Sequence, residues 1–208
     1  MARLVWYFDF VSPFAYLQFA AFPDLFQRAD VDLKPVLFAG LLKHFGHKGP
    51  AEIEPKRKHT YLYTQWLAAK RGVALRYPPA HPFNPLHTLR VAIALGGTFD
   101  TVKTIFEFIW LHGRSPHDEW QTLCGALGVP GAEVLAMSDA VKTELRANTD
   151  EAIRRGVFGV PTFVVDDQLF WGIDATEMLL DYLDDPQLFA SDEMQRIAHL
   201  PVAASRQS

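Results

Sequence analysis

The stretch Leu4-Val5-Trp6-Tyr7-Phe8-Asp9-Phe10-Val11-Ser12-Pro13-Phe14-Ala15-Tyr16 decides the fold. Residues 4–9 are apolar on both alternating faces, as a strand in the middle of a sheet must be. The next residues change the pattern. Serine is a preferred helix N-cap, and proline at the first helical position gives up only an N–H that has no helical partner. A helix is expected from Pro13 to about Arg28, with Tyr16, Leu17, Phe19, Ala20 and Phe26 on its apolar face and Pro23 interrupting it. Asp30 and the run Val31-Asp32-Leu33-Lys34-Pro35-Val36-Leu37-Phe38 read as a second strand. Strand, helix, strand at this spacing is a right-handed crossover between parallel strands. Ser12 then stands at the strand-to-helix turn, facing the positive end of the helix dipole.

Further along, the chain changes character. Residues 40–155 hold helix-period segments at 54–71, 85–96, 100–112, 118–127, 130–137 and 138–155, separated by breakers such as Pro78-Pro79, Gly96-Gly97 and Pro130-Gly131. Strand signals return in Pro161-Thr162-Phe163-Val164-Val165 and Gln168-Leu169-Phe170-Trp171, which flank the short link Asp166-Asp167. A helix over 175–183 follows. The expected architecture is α/β: β-α-β at the start and β-β-α at the end close one four-stranded sheet. Residues 1–39 and 156–185 form that unit, 40–155 a large inserted helical domain, and 186–208 a polar C-terminal tail whose last residues, 203–208, are expected to be disordered.

Composition removes several function classes. With 49% hydrophobic residues in 208, the chain can build a full core without metal or disulfide staples. A net charge of −4 with no basic tract argues against nucleic acid. Cys124 is the one cysteine, so neither an intrachain disulfide nor a two-cysteine redox centre is possible. The histidines show no compact ligand spacing, and no metal site is expected. No apolar run approaches the ~18–20 residues that span a bilayer, and the N-terminus lacks a secretory signal. A soluble cytoplasmic protein is the expectation.

The element order resembles a thioredoxin-like fold with a helical insertion, as in the DsbA-like superfamily. Phe8-Asp9-Phe10-Val11-Ser12-Pro13-Phe14-Ala15-Tyr16, Gly156-Val157-Phe158-Gly159-Val160-Pro161-Thr162-Phe163, Phe170-Trp171-Gly172-Ile173-Asp174 and Pro79-Ala80-His81-Pro82-Phe83-Asn84-Pro85-Leu86 together resemble the 2-hydroxychromene-2-carboxylate isomerases and their relatives, the kappa-class glutathione transferases. The resemblance implies glutathione as cofactor, a small aromatic carboxylate as substrate, and a homodimer as an assembly to expect. The implied reaction interconverts 2-hydroxychromene-2-carboxylate and trans-o-hydroxybenzylidenepyruvate, a step of bacterial naphthalene breakdown, by reversible thiolate addition, bond rotation and elimination. A kappa-class-like transferase or peroxidase is the alternative, and a non-catalytic DsbA-like binding protein a second.

Ser12 is read either as an ordinary N-cap or, as the resemblance implies, as the hydroxyl that stabilises a glutathione thiolate. Val160 and Pro161 are read as a strand start; the resemblance makes their peptide bond cis and gives the Val160 backbone to glutathione. Asp174 reads as a helix cap or as a partner of the γ-glutamyl end, with Trp171, Gly172, Ile173 and Ala175 around it; relatives often have arginine where Ala175 stands. Lys56 is the preferred cation for the glycyl carboxylate. On the substrate side the resemblance places Lys43 against the substrate carboxylate and His47 where many relatives have asparagine. Phe10 is a candidate wall of an aromatic pocket, and Asn84 a turn residue or a polar substrate contact.

Overall fold

β1 (Leu4–Phe8) is buried along its whole length, and its side chains alternate between two cores. Leu4, Trp6 and Phe8 enter the larger core; Val5 and Tyr7 enter the smaller one. The computed structural model describes residues 3–28, 31–131 and 135–204. Among these, β1 joins β2 (Val31–Pro35), β3 (Thr162–Val165) and β4 (Gln168–Trp171) in one mixed sheet of order β2-β1-β3-β4. β1 and β2 are parallel, while β3 runs antiparallel to both β1 and β4.

The register places the site. Phe8 pairs with Pro35, Tyr7 with Thr162, and Thr162 with Trp171. The segments that leave β1, β2 and β4, and the one that enters β3, therefore share one end of the sheet. α1 (Pro13–Ala21) and α2 (Pro23–Arg28) follow β1, broken at Pro23 as its missing N–H requires. They pack on the larger-core face with α9 (Thr176–Asp184) and the inserted helices α4 (Glu54–Lys70), α5 (Leu86–Ala94), α6 (Phe99–Phe106) and α7 (Trp120–Ala126). α3 (Phe38–His44) and α8 (Asp139–Arg154) cover the smaller core through Leu41 and Ala152.

Three expectations change. β2 ends at Pro35 because Phe38 already opens α3. The segment 100–112 is α6 followed by a π-helical stretch, Glu107–Leu111. The tail carries a helix, α10 (Asp192–Ala198), whose Ser191 hydroxyl accepts from Met194 N–H at 3.3 Å. Asp30, the middle of the 130–137 segment and the final residues 205–208 lie outside the described residues.

The larger core is aromatic. Phe106 stands at its centre, with ring centroids 6.1 Å from Trp6, 5.7 Å from Phe8, 4.8 Å from Phe10 and 5.6 Å from Phe19. It joins the inserted helices to the sheet. Phe106→Ala removes these contacts at once and is expected to cost about 3–5 kcal/mol, measured as a lower urea midpoint with little change in slope.

Candidate functional site

Ser12 caps α1. Its backbone is extended, at φ −89° and ψ 115°, and its Oγ accepts from Ala15 N–H at 3.2 Å. That bond uses the oxygen as an acceptor and leaves the hydroxyl proton available. Among the described residues no side chain or carbonyl accepts it. The residue is buried, 7% exposed. It lies at the N-terminus of α1, where backbone N–H groups and the helix dipole favour negative charge.

The turn that carries Ser12 is clamped from three sides. Asp9, fully buried, accepts from Val11 N–H at 3.0 Å on one carboxylate oxygen and from Phe38 N–H at 2.9 Å on the other. Its backbone carbonyl accepts from Ser12 N–H at 3.1 Å. Trp110 donates its indole N–H to the Phe10 carbonyl at 2.8 Å. His81 Nε2 lies 2.8 Å from the Val11 carbonyl. A carbonyl only accepts, so Nε2 carries the proton; the Tyr61 hydroxyl lies 2.8 Å from Nδ1 and donates to the His81 carbonyl at 2.7 Å. Burial holds the His81 ring below the usual imidazole range, which keeps it in this neutral form.

Val160 and Pro161 lie across the same end of the sheet, one step before β3, and their peptide bond is cis. Pro161 C=O accepts from Gly172 N–H at 2.9 Å, whereas the Val160 N–H and C=O have no hydrogen-bond partner among the described residues. Gly172 adopts φ +89°, a backbone conformation that favours glycine, and the Asp174 carboxylate lies close against its Cα. The Trp171 indole lies over Gly159, where a Cβ would come within 2.6 Å of its Nε1. Ala175 is the N-cap of α9 and offers no side-chain acceptor, so the first turn of α9 lacks a side-chain cap. Asp174 is exposed and Ile173 buried beside this helix end.

The fold thus gathers Ser12, Val160, Pro161, Trp171, Gly172, Ile173, Asp174 and Ala175 at one end of the sheet. Other candidates stand differently. Phe10 is fully buried, its ring packed on Phe8 and Phe106, so it offers no wall to a ligand. Trp110 is buried too and acts through its N–H. Beside the cis peptide, open aromatic surface comes from Trp171, 52% exposed, and Phe158, whose ring meets it edge-on at 4.9 Å; on α4, Trp66 and Tyr63 are exposed as well. Asn84 accepts from Leu86 N–H at 3.1 Å and serves the turn before α5. Lys43 in the last turn of α3, His47 in the following loop and Lys56 in the first turn of α4 are exposed, with no side-chain hydrogen bond or ion pair among the described residues. Two open grooves, of about 140 and 170 Å³, lie elsewhere, along β2 and the Gly96-Gly97 turn. Sequence reading offers Trp110 as a pocket wall rather than as a donor to the Phe10 carbonyl, and misses Asp9, His81 and Gln18. Only Asp9, a charge inside an apolar strand run, carried a sequence signal.

The DSBA-like thioredoxin domain family matches residues 3–184. A 2-hydroxychromene-2-carboxylate isomerase of Sphingobium xenophagum is 32% identical over 191 residues, covering 86% of this chain and 96% of that protein. Glutathione S-transferase kappa 2 of Caenorhabditis elegans is 28% identical, covering 86% of this chain and 91% of its own. A solved 2-hydroxychromene-2-carboxylate isomerase structure superposes with a TM-score of 0.76 at 22% identity, covering 96% of this chain and all of that one. The chain belongs to the DSBA-like thioredoxin family, alongside relatives named as isomerases.

Burial pushes the Asp9 carboxyl up to about 7, outweighing the two N–H bonds that pull it down. An acid raised from 3.8 is protonated when folded and ionised when unfolded between these values, so the stability it contributes is full below pH 3.8 and lost as pH rises towards 7. Asp9→Asn cannot ionise and turns an N–H₂ towards one of two N–H donors. It is expected to lose about 1–3 kcal/mol at acid pH and to lack the decline that wild type shows up to neutrality. Urea unfolding at stepped pH checks both.

Proposed function

We propose that this protein is a glutathione-dependent isomerase that interconverts 2-hydroxychromene-2-carboxylate and trans-o-hydroxybenzylidenepyruvate, in the bacterial breakdown of naphthalene-like aromatics. One observation carries the reading: the Ser12 hydroxyl keeps its proton free at a helix N-terminus, across the sheet end from the unpaired Val160 backbone. A tripeptide thiol fits that pair of features. The names of the relatives point the same way.

Bound glutathione supplies a thiolate that adds to and leaves a conjugated carbon, freeing the adjacent bond to rotate in between. The protein's part is to hold and ionise that thiol. A free thiol has a pKa near ~8.5, so at neutral pH most of it is protonated. The Ser12 O–H donates to the sulfur, and the N-terminus of α1 adds its dipole. Val160 N–H and C=O pair with the cysteinyl backbone as an added strand would. Asp174 meets the α-ammonium, the open first turn of α9 the α-carboxylate, and Lys56 the glycyl carboxylate. Trp171, Gly172, Ile173 and Ala175 shape that end. Lys43 and His47 face the substrate carboxylate, and the exposed Trp171 and Phe158 rings give an aromatic substrate a surface to lie on. The sheet-bearing part, 1–39 and 156–185, holds the cofactor, and 40–155 the substrate. Dependence on a reduced thiol places the enzyme in the cytoplasm.

A second reading, a kappa-class-like transferase, rests on the Caenorhabditis elegans relative and uses the same site. The amount of glutathione over many turnovers separates the two: an isomerase leaves it unchanged and a transferase consumes it. Ser12→Ala is expected to lower turnover by about 10²–10³-fold while costing about 0.5–2 kcal/mol of stability for the lost cap. Near-normal turnover of this variant at saturating glutathione would remove Ser12 from the mechanism.

A further inference from the structure

Gln18 lies in the middle of α1, fully buried among aromatic side chains. A buried amide at such a position must be satisfied completely, and this one is. The Trp6 indole N–H donates to Gln18 Oε1 at 2.7 Å. An indole only donates, so the amide is fixed in one orientation and its N–H₂ faces away from Trp6. That group donates to the Gly172 carbonyl at 3.1 Å and to the Thr176 hydroxyl at 2.8 Å. Thr176 in turn donates to the Ile173 carbonyl at 2.7 Å. One side chain thereby connects β1, α1 and the 172–176 turn.

Beyond Gln18 the turn is held by the Gly172 N–H on the Pro161 carbonyl at 2.9 Å, by the Thr176 N–H on the Ile173 carbonyl at 3.2 Å and by the buried Ile173, and no side chain outside the turn other than Gln18 hydrogen-bonds it among the described residues. Gly172 sits at a positive φ, Asp174 is exposed, and α9 begins without a side-chain cap. Gln18 is six residues beyond Ser12 on the same helix, about 9 Å along its axis. A helix is stiff over that length, so whatever Gln18 grips is held at a set distance from the Ser12 hydroxyl. A tripeptide thiol contacts both places at once: its sulfur at Ser12, its γ-glutamyl group at the turn.

We propose that Gln18 is a positioning residue for thiol recognition: it sets the separation between the Ser12 turn and the 172–176 turn, and so selects a thiol carrying a γ-glutamyl group over one without it. This rests on the glutathione reading of the site. Nothing in it requires Gln18 to touch the ligand. Its effect is confined to the γ-glutamyl end, because Ser12 and Val160 are anchored by other residues.

The test is calorimetric binding of two probes, glutathione and cysteinylglycine, which lacks the γ-glutamyl group. Wild type is expected to prefer glutathione by about tenfold or more. Gln18→Met is expected to close that gap to about twofold by weakening glutathione, with cysteinylglycine binding unchanged. Thr176→Val removes the other side of the same bond from a less central position and is expected to narrow the gap in the same direction; it carries the test if Gln18→Met does not fold. Parallel weakening of both thiols, or an unchanged gap in a folded variant, overturns the inference while leaving the glutathione reading in place. No binding of glutathione by wild type overturns both.

Discussion

Two backbone N–H groups, those of Val11 and Phe38, end on the two oxygens of one buried carboxylate, and among the described residues that carboxylate has no cation beside it. Asp9 thereby ties the β1–α1 turn to the start of α3, whose own N-cap, Leu37, has no side chain to offer. Removing a carboxyl group from water is costly, and burial shows in its raised pKa. What the fold gains is a turn that cannot drift. Val11 and Phe38 belong to segments leaving adjacent parallel strands, so a single side chain sets the spacing of the two chain paths at the site end of the sheet. Ser12 inherits its position from this.

The two readings of Ser12 are compatible once donor and acceptor are counted separately. As a cap its oxygen accepts from Ala15 N–H. As a thiolate partner its hydrogen donates. A hydroxyl has lone pairs and one proton, so both roles run together. Cysteine at this position would serve as the thiol itself. Serine keeps the helix end, the dipole and a donor, and under the proposed function the sulfur comes from outside. Cys124 does not fill the gap, being buried in α7.

Much of the fold was legible because it follows from local rules. The two-face burial of β1, the Ser-Pro helix start, the break at Pro23 and the late hairpin all come from period, capping and proline chemistry. The ends of elements were less legible. Phe38 reads as strand by its apolar neighbours, and only the Asp9 oxygen waiting for its N–H makes it a helix start. Phe10 was misplaced for the same kind of reason. An aromatic two residues before Ser12 looks like a pocket wall, yet the turn geometry aims it at Phe106, a residue almost a hundred positions away. Gln18 carried no signal, since an isolated glutamine on a helix reads as solvent-facing until Trp6, Gly172 and Thr176 surround it.

The inserted helices are more than a cover over the thiol end. The carbonyls of Phe10 and Val11 point away from β1 and would be left without partners in a minimal sheet-and-helix unit. Both are met from the insertion, by Trp110 at the π-helical stretch and by His81 in the proline-rich loop. A buried carbonyl left unpaired costs about 1–3 kcal/mol, so the insertion and the turn stabilise each other. Phe106 reinforces the link through packing on Phe8, Phe10 and Tyr16. It follows that the 78–85 loop and the Ser12 turn do not move independently. A shift of that loop pulls on Val11 through His81, and Ser12 is one residue further on.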